Sequence, residues 1–175
     1  MSDPRWRGGD YYGYERPVDG LAVARMIGHI TYLSEESLEA KFGRRHQAGD
    51  GPAFTLAPEF AVESYLDYQG ASFNARFDAN SYLYITKAMD YWDLPARYGS
   101  LEAALARASA ELLLISFTSD WLYPTRDSLA ILAAARRAGR RAEHLEIASS
   151  AGHDAFLVDY AAQRAPVTQF LDRLR

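Results

Sequence analysis

Cysteine does not occur among the 175 residues. Disulfide cross-links, a thiolate nucleophile and a cysteine-ligated zinc site are therefore excluded. No apolar run approaches the roughly 18 residues that crossing a bilayer requires, and neither a signal peptide nor a terminal lipidation motif is recognisable. A cytoplasmic enzyme with no membrane partner is the expectation. Charge of one sign never accumulates: the net charge is −4, and no like-charged run is longer than the pairs Arg44-Arg45, Arg136-Arg137 and Arg140-Arg141. Such pairs read as solvated helix faces and ends, not as a nucleic-acid surface. The four histidines, His29, His46, His144 and His153, show no close metal-ligand spacing. A glycine-flanked serine turn of the Gly-x-Ser-x-Gly type is missing too. What is present is 49% hydrophobic sequence, too apolar for disorder and enough for one domain of ordinary size.

The most informative stretch runs from Glu111 to Asp154. Leu112-Leu113-Leu114-Ile115-Ser116-Phe117 is apolar at nearly every position, which suits a parallel strand covered by helices on both faces. After the break at Thr118-Ser119-Asp120-Trp121-Leu122-Tyr123-Pro124, Thr125 can cap a helix whose apolar stripe is Leu129, Ile131, Leu132 and Ala135. Glycine tolerates the left-handed conformation of a helix stop, so that helix ends near Ala138-Gly139. Residues 142–148 alternate as a second, shorter strand and lead into Ser149-Ser150-Ala151-Gly152-His153-Asp154. The unit is βαβ.

In open α/β sheets, functional residues gather beyond the carboxyl ends of the strands. Asp120 and His153, about 33 residues apart, are thus expected at one edge. A carboxylate there accepts the imidazole N–H, fixes the tautomer and stabilises the imidazolium that forms when the other nitrogen takes a hydroxyl proton. Asp127 is a rival acid, but it falls inside the helix.

Upstream, residues 1–20 are punctuated by Pro4, Gly8 and Gly9 and read as a loop. Leu21 to Leu33 suits a largely buried helix, and Leu38 to Phe42 a short one behind the cap signal at Ser34. Residues 44–58 read as a loop, and helical spacing resumes over 59–70 and 78–91. Ser100 can cap a helix from Leu101 to Ala108, a short helix runs from Ala155 to Tyr160, and a last one from Ala165 to Leu174.

Four separated blocks carry a resemblance. Leu114-Ile115-Ser116-Phe117-Thr118-Ser119-Asp120-Trp121-Leu122-Tyr123-Pro124 and Gly152-His153-Asp154-Ala155-Phe156-Leu157 resemble the end of a homoserine O-acetyltransferase, an acyltransferase of the α/β-hydrolase fold in methionine biosynthesis. Ala24-Arg25-Met26-Ile27-Gly28-His29-Ile30-Thr31-Tyr32 and Arg76-Phe77-Asp78-Ala79-Asn80-Ser81-Tyr82-Leu83-Tyr84 resemble earlier parts of the same family. The resemblance implies a partial α/β-hydrolase fold of class α/β: a loop entering from an absent strand (1–20), a helical lid (21–98) and the C-terminal part of the hydrolase core (99–175). It implies Asp120 and His153 as catalytic acid and base, Asp154 toward the substrate amine, Arg76 toward its carboxylate, and Tyr82 as a nearby hydroxyl. For Asp154, Arg76 and Tyr82 the alternatives are a helix cap, a surface ion pair and a buried tyrosine.

The implied activity moves acetyl from acetyl-CoA to the hydroxyl of L-homoserine by a Ser-Asp-His ping-pong route. No cofactor is held permanently, acetyl-CoA being a substrate. Because the serine elbow is missing, the chain resembles only the C-terminal half and is expected to be inactive alone. Its expected partners are the nucleophile half or another subunit along Glu111–Phe117, and a second copy through the lid. The competing readings are a serine or homoserine O-succinyltransferase of the same fold and a non-catalytic dimerisation or assembly module.

Overall fold

The run at 112–117 forms strand β1 (Leu112–Phe117), which pairs in parallel with β2 (Ala142–Ile147), from Leu112 opposite Ala142 to Phe117 opposite Ile147. The computed structural model of the chain describes residues 1–49 and 51–175; Asp50, within the expected loop 44–58, lies outside the described residues. The chain divides into two units, residues 1–30 with 39–92, and residues 31–38 with 93–175.

The second unit holds the sheet. Helix α7 (Thr125–Arg137) connects the two strands and completes the βαβ unit. On one face, Leu112, Leu114 and Ala142 pack with Leu132 and Ala135 of α7 and with Leu105. On the other, Phe117 and Ile147 pack with Ile115, Leu145, Ala151 and Ala155. These alternating sets follow from the period of two along a strand. Cover on both faces, expected from the continuous apolar run, is incomplete: the first four residues of β1 are only half-buried. Among the described residues the sheet has these two strands only, so β1 is hydrogen-bonded along one edge.

Two short helices precede β1, α5 (Leu94–Tyr98) and α6 (Leu101–Leu105), capped by Asp93 and Ser100, whose side chains accept the amides of Ala96 and Ala103. Helices α8 (Ala155–Val158) and α9 (Tyr160–Asp172) close the chain. Helix α9 starts five residues before the expected Ala165 and carries Pro166 inside it, where one carbonyl loses its helical donor. Thr125 does not cap α7. Pro124 occupies the cap position with extended torsions, and Thr125 is the first helical residue.

The first unit is helical. It contains most of α1 (Val18–Tyr32) and part of α2 (Glu35–Lys41), together with α3 (Ala61–Asn74) and α4 (Ala79–Asp90). Tyr11, Leu21, Phe42 and Phe73 are its buried hydrophobic residues. The helix expected over 59–70 runs on past Gly70 to Asn74, and position 70 suits glycine because a Cβ there would stand 2.9 Å from Cβ of Ala22 on α1. The 1–20 segment is more ordered than a loop reading implies. A 3-10 turn spans Pro4–Gly9; the Trp6 indole donates to Asn80, and the buried Tyr11 hydroxyl donates to Asp78 while accepting the Asn80 amide. Residues 45–47 and 59–61 are joined by backbone hydrogen bonds around an antiparallel bridge between His46 and Phe60.

Candidate active site

Asp120 is the third residue past β1, and His153 the sixth past β2. Parallel pairing in register delivers both loops to the same end of the sheet, and three consecutive residues of the first loop then bind the second. Thr118 exchanges two bonds with Ser149, its hydroxyl donating to the carbonyl and accepting the amide, each 3.1 Å long. Ser119 accepts the Gly152 amide at 2.8 Å. Asp120 follows, its Oδ2 lying 2.8 Å from Nδ1 of His153.

The Asp120 carboxylate is buried, and its other oxygen accepts the amides of Leu122 and Tyr123 at 3.0 and 2.8 Å. Both oxygens are thus satisfied, as a buried carboxylate requires. With an ionised carboxylate as partner, Nδ1 carries the proton, and the lone pair of neutral His153 sits on Nε2. The imidazole lies among the rings of Tyr32, Tyr123 and Phe156, with centroids 5.9, 4.9 and 5.3 Å away.

Gly152 makes this arrangement possible. Its φ is +72°, and a Cβ would stand 2.5 Å from the Ser34 amide nitrogen and 2.7 Å from the Tyr32 carbonyl oxygen. The backbone of residues 32–34 passes that close because it is tied down on either side: the Trp121 indole donates to the Leu33 carbonyl, and the hydroxyls of Ser34 and Ser37 donate to the Ser150 carbonyl. Sequence reasoning missed Thr118, Ser119 and the 31–38 segment. The available signal was the pair of small hydroxyl residues just past a strand.

No protein-family model matches the chain. A homoserine O-acetyltransferase from Solidesulfovibrio magneticus is 51% identical over 176 residues, covering 99% of this chain and 44% of that protein. The crystal structure of homoserine O-acetyltransferase from Bacillus anthracis is 30% identical and matches 97% of this chain and 45% of that one with a TM-score of 0.83. Over nearly its whole length, the chain is similar in sequence to part of these homoserine O-acetyltransferases. It spans less than half the length of the curated homoserine O-acetyltransferases it matches. A crystallised esterase, 21% identical, also matches 97% of the chain and 46% of its own length with a TM-score of 0.80, a likeness of fold. The architecture is a partial α/β-hydrolase fold.

The resemblance to homoserine O-acetyltransferases singled out three further residues. Asp154 directly follows His153; it stands at the start of α8 but makes no side-chain cap bond, so its carboxylate is not engaged as a helix cap. Arg76 and Tyr82 belong to the first unit. Arg76 is exposed, with its guanidinium carbon 6.0 Å from the Phe73 ring centre. Tyr82 is half-buried and meets Phe73 and Phe77 edge-on, which gives it a packing role. The rival acid Asp127 lies on the exposed first turn of α7 beside Arg126. The arginine pairs near the sheet are engaged locally: Arg137 with Glu102, Arg141 with Glu111, and Arg136 and Arg140 with the carbonyls of Ala142 and Ala106. Among the described residues no group of three or more His, Asp or Glu is placed to hold a metal ion, and no helix is long and apolar enough to cross a membrane.

Proposed function

We propose that this chain supplies the general base and its orienting acid to an acyltransferase that moves an acetyl group from acetyl-CoA to the hydroxyl of L-homoserine. The observation that carries the reading is the 2.8 Å contact between Asp120 and Nδ1 of His153, made in a chain about half identical to homoserine O-acetyltransferases. His153 Nε2 would take the proton of a serine nucleophile as that serine attacks the thioester, then return it to the departing CoA thiolate. The homoserine hydroxyl, deprotonated by the same nitrogen, would attack the acyl-serine ester in a second half-reaction, and the ester bond to serine would break as the serine oxygen takes that proton back. Asp120 stabilises the imidazolium formed at each step.

In this reading the nucleophile and the oxyanion hole come from residues outside these 175, and the 175-residue chain alone does not turn over. The free edge of β1 is where a strand of that other portion would pair. Asp154 is proposed for the substrate amine. Arg76 is proposed for its carboxylate, through the planar fork a guanidinium offers, with the Tyr82 hydroxyl nearby. A second copy is proposed to associate through the helical unit.

The test is co-expression with a chain carrying the nucleophile portion, followed by measurement of homoserine-dependent CoA release. Activity is expected, and His153→Ala should lower it by at least about a hundredfold. Asp120→Asn should cost roughly 10³- to 10⁴-fold, because the amide no longer selects the productive tautomer. Arg76→Ala should raise KM for homoserine more than it lowers kcat. Two soluble, associated chains with no CoA release would overturn the reading.

A further inference from the structure

On the α7 side of the sheet, four polar side chains form a continuous line. His144 Nε2 lies 2.8 Å from the Ser116 hydroxyl, the Ser116 hydroxyl lies 3.0 Å from that of Thr125, and the Thr125 hydroxyl meets a carboxylate oxygen of Glu146. Ser116 is only 4% exposed, so its hydroxyl has to find partners inside the protein. Ser116 and Glu146 are opposite each other in the strand register, and His144 is two residues back on the same face.

Counting protons fixes the direction of this line. An ionised Glu146 can only accept, so the single Thr125 proton goes to Glu146 and the Thr125 oxygen accepts from Ser116. Ser116 has then spent its own proton, and its oxygen must accept from His144. His144 therefore carries its proton on Nε2, the opposite tautomer from His153.

The line joins the last turns of chain on either side of the loop that bears Asp120. Ser116 is the penultimate residue of β1, and Thr125 opens α7; between them lie the three ties to the second loop and the turn that feeds two amides to Asp120. We propose that the His144-Ser116-Thr125-Glu146 chain is a positioning device that closes the base of this loop and holds Asp120 at hydrogen-bonding distance from His153. The proposal rests on the catalytic reading of that pair, and Ser116, Thr125, His144 and Glu146 are positioning residues within it. Small displacements matter at such a contact, since proton-transfer geometry off by about 1 Å costs on the order of a hundredfold in rate.

The test is NMR of the histidine-¹⁵N-labelled full chain, which reports tautomers and the low-field Nδ1–H resonance of an imidazole bonded to a carboxylate. In the unsubstituted chain, His153 is expected as the Nδ1–H tautomer with a low-field proton, and His144 as Nε2–H. Thr125→Val, close in size but without the hydroxyl, should broaden or abolish the His153 resonance, and Thr125→Ser should restore it. A purely structural threonine would lower thermal stability in Thr125→Val while leaving that resonance in place, and this outcome overturns the proposal. Finding His144 as Nδ1–H would also overturn it, because the proton count would be wrong. A missing low-field proton in the unsubstituted chain would remove the Asp120–His153 pair itself, and with it both readings. An intact resonance in all variants would remove only this one.

Discussion

Gly152 and Gly139 have nearly the same backbone torsion, with φ of +72° and +71°, but different surroundings. A Cβ at Gly139 meets nothing within 4 Å, whereas one at Gly152 runs into the backbone of residues 32–34. Gly139→Ala should therefore cost only the conformational penalty of about 1 kcal/mol. Gly152→Ala should cost at least ~2 kcal/mol more and disturb His153, because backbone cannot step aside as a flexible side chain can. Urea denaturation of both variants checks this, and equal losses would show that the close approach is not rigid. Asp3 offers a residue-scale prediction in pH. The Arg5 guanidinium and the Gly20 amide hold its carboxyl at about 2, below the ordinary 3.8, with burial pushing the other way. A carboxyl whose pKa is lower in the folded state stabilises fully above about pH 4 and loses that contribution as pH falls toward 2. Unfolding midpoints between pH 5 and pH 2 should decline, and Asp3→Asn should flatten this part of the decline.

At the scale of elements, turn and cap chemistry was legible where it is local. Ser100 caps α6 as expected, and α7 ends at Arg137, with Ala138 as its C-cap ahead of Gly139, because both signals act within a few residues. The cap expected at Thr125 and the helix expected over 59–70 depart from the structure for the opposite reason, α3 running on past Gly70 to Asn74. Gly70 answers to a neighbouring helix, and Thr125 turns its hydroxyl to two strands instead of to its own helix amides. The 1–20 segment shows the same limit. Its glycines and Pro4 suggested a loop, yet burial first, and the Asp78 carboxylate next, push the Tyr11 hydroxyl up to about 12 and keep it a donor at the head of α4. Burial alone would raise the Asp78 carboxyl, but the donors Tyr11, Ser81 and Tyr12 leave it below the ordinary value. Tyr11→Phe strips a partner from both Asp78 and the Asn80 amide, and should destabilise the protein by ~1–3 kcal/mol in a thermal or urea melt. An unchanged melt would mean that water replaces the hydroxyl at no cost.

For the whole molecule, the half-buried and singly paired β1 sets the behaviour in solution. A strand edge with unpaired amides and carbonyls is a template for another strand, so the isolated chain should associate as its concentration rises, visible by light scattering after size exclusion. Leu113, half-buried and outside both core clusters, is the place to oppose this. Leu113→Lys should suppress association and leave the circular dichroism unchanged; a strictly monomeric parent chain would show that the edge is already protected. The sequence alone determined the βαβ order, the acid past one strand and the histidine past the next, and the kinship with homoserine O-acetyltransferases. Those features are written in periodicity, in turn residues and in short blocks that keep their order. Only the tertiary structure decided that Thr118, Ser119 and Asp120 grip the second loop in succession, that residues 32–34 press against Gly152, and that a buried hydroxyl line closes the Asp120 loop. Such contacts join residues from nine to more than a hundred positions apart. No periodicity specifies them, because they depend on which surfaces meet once the strands have paired and each buried polar group has found a partner.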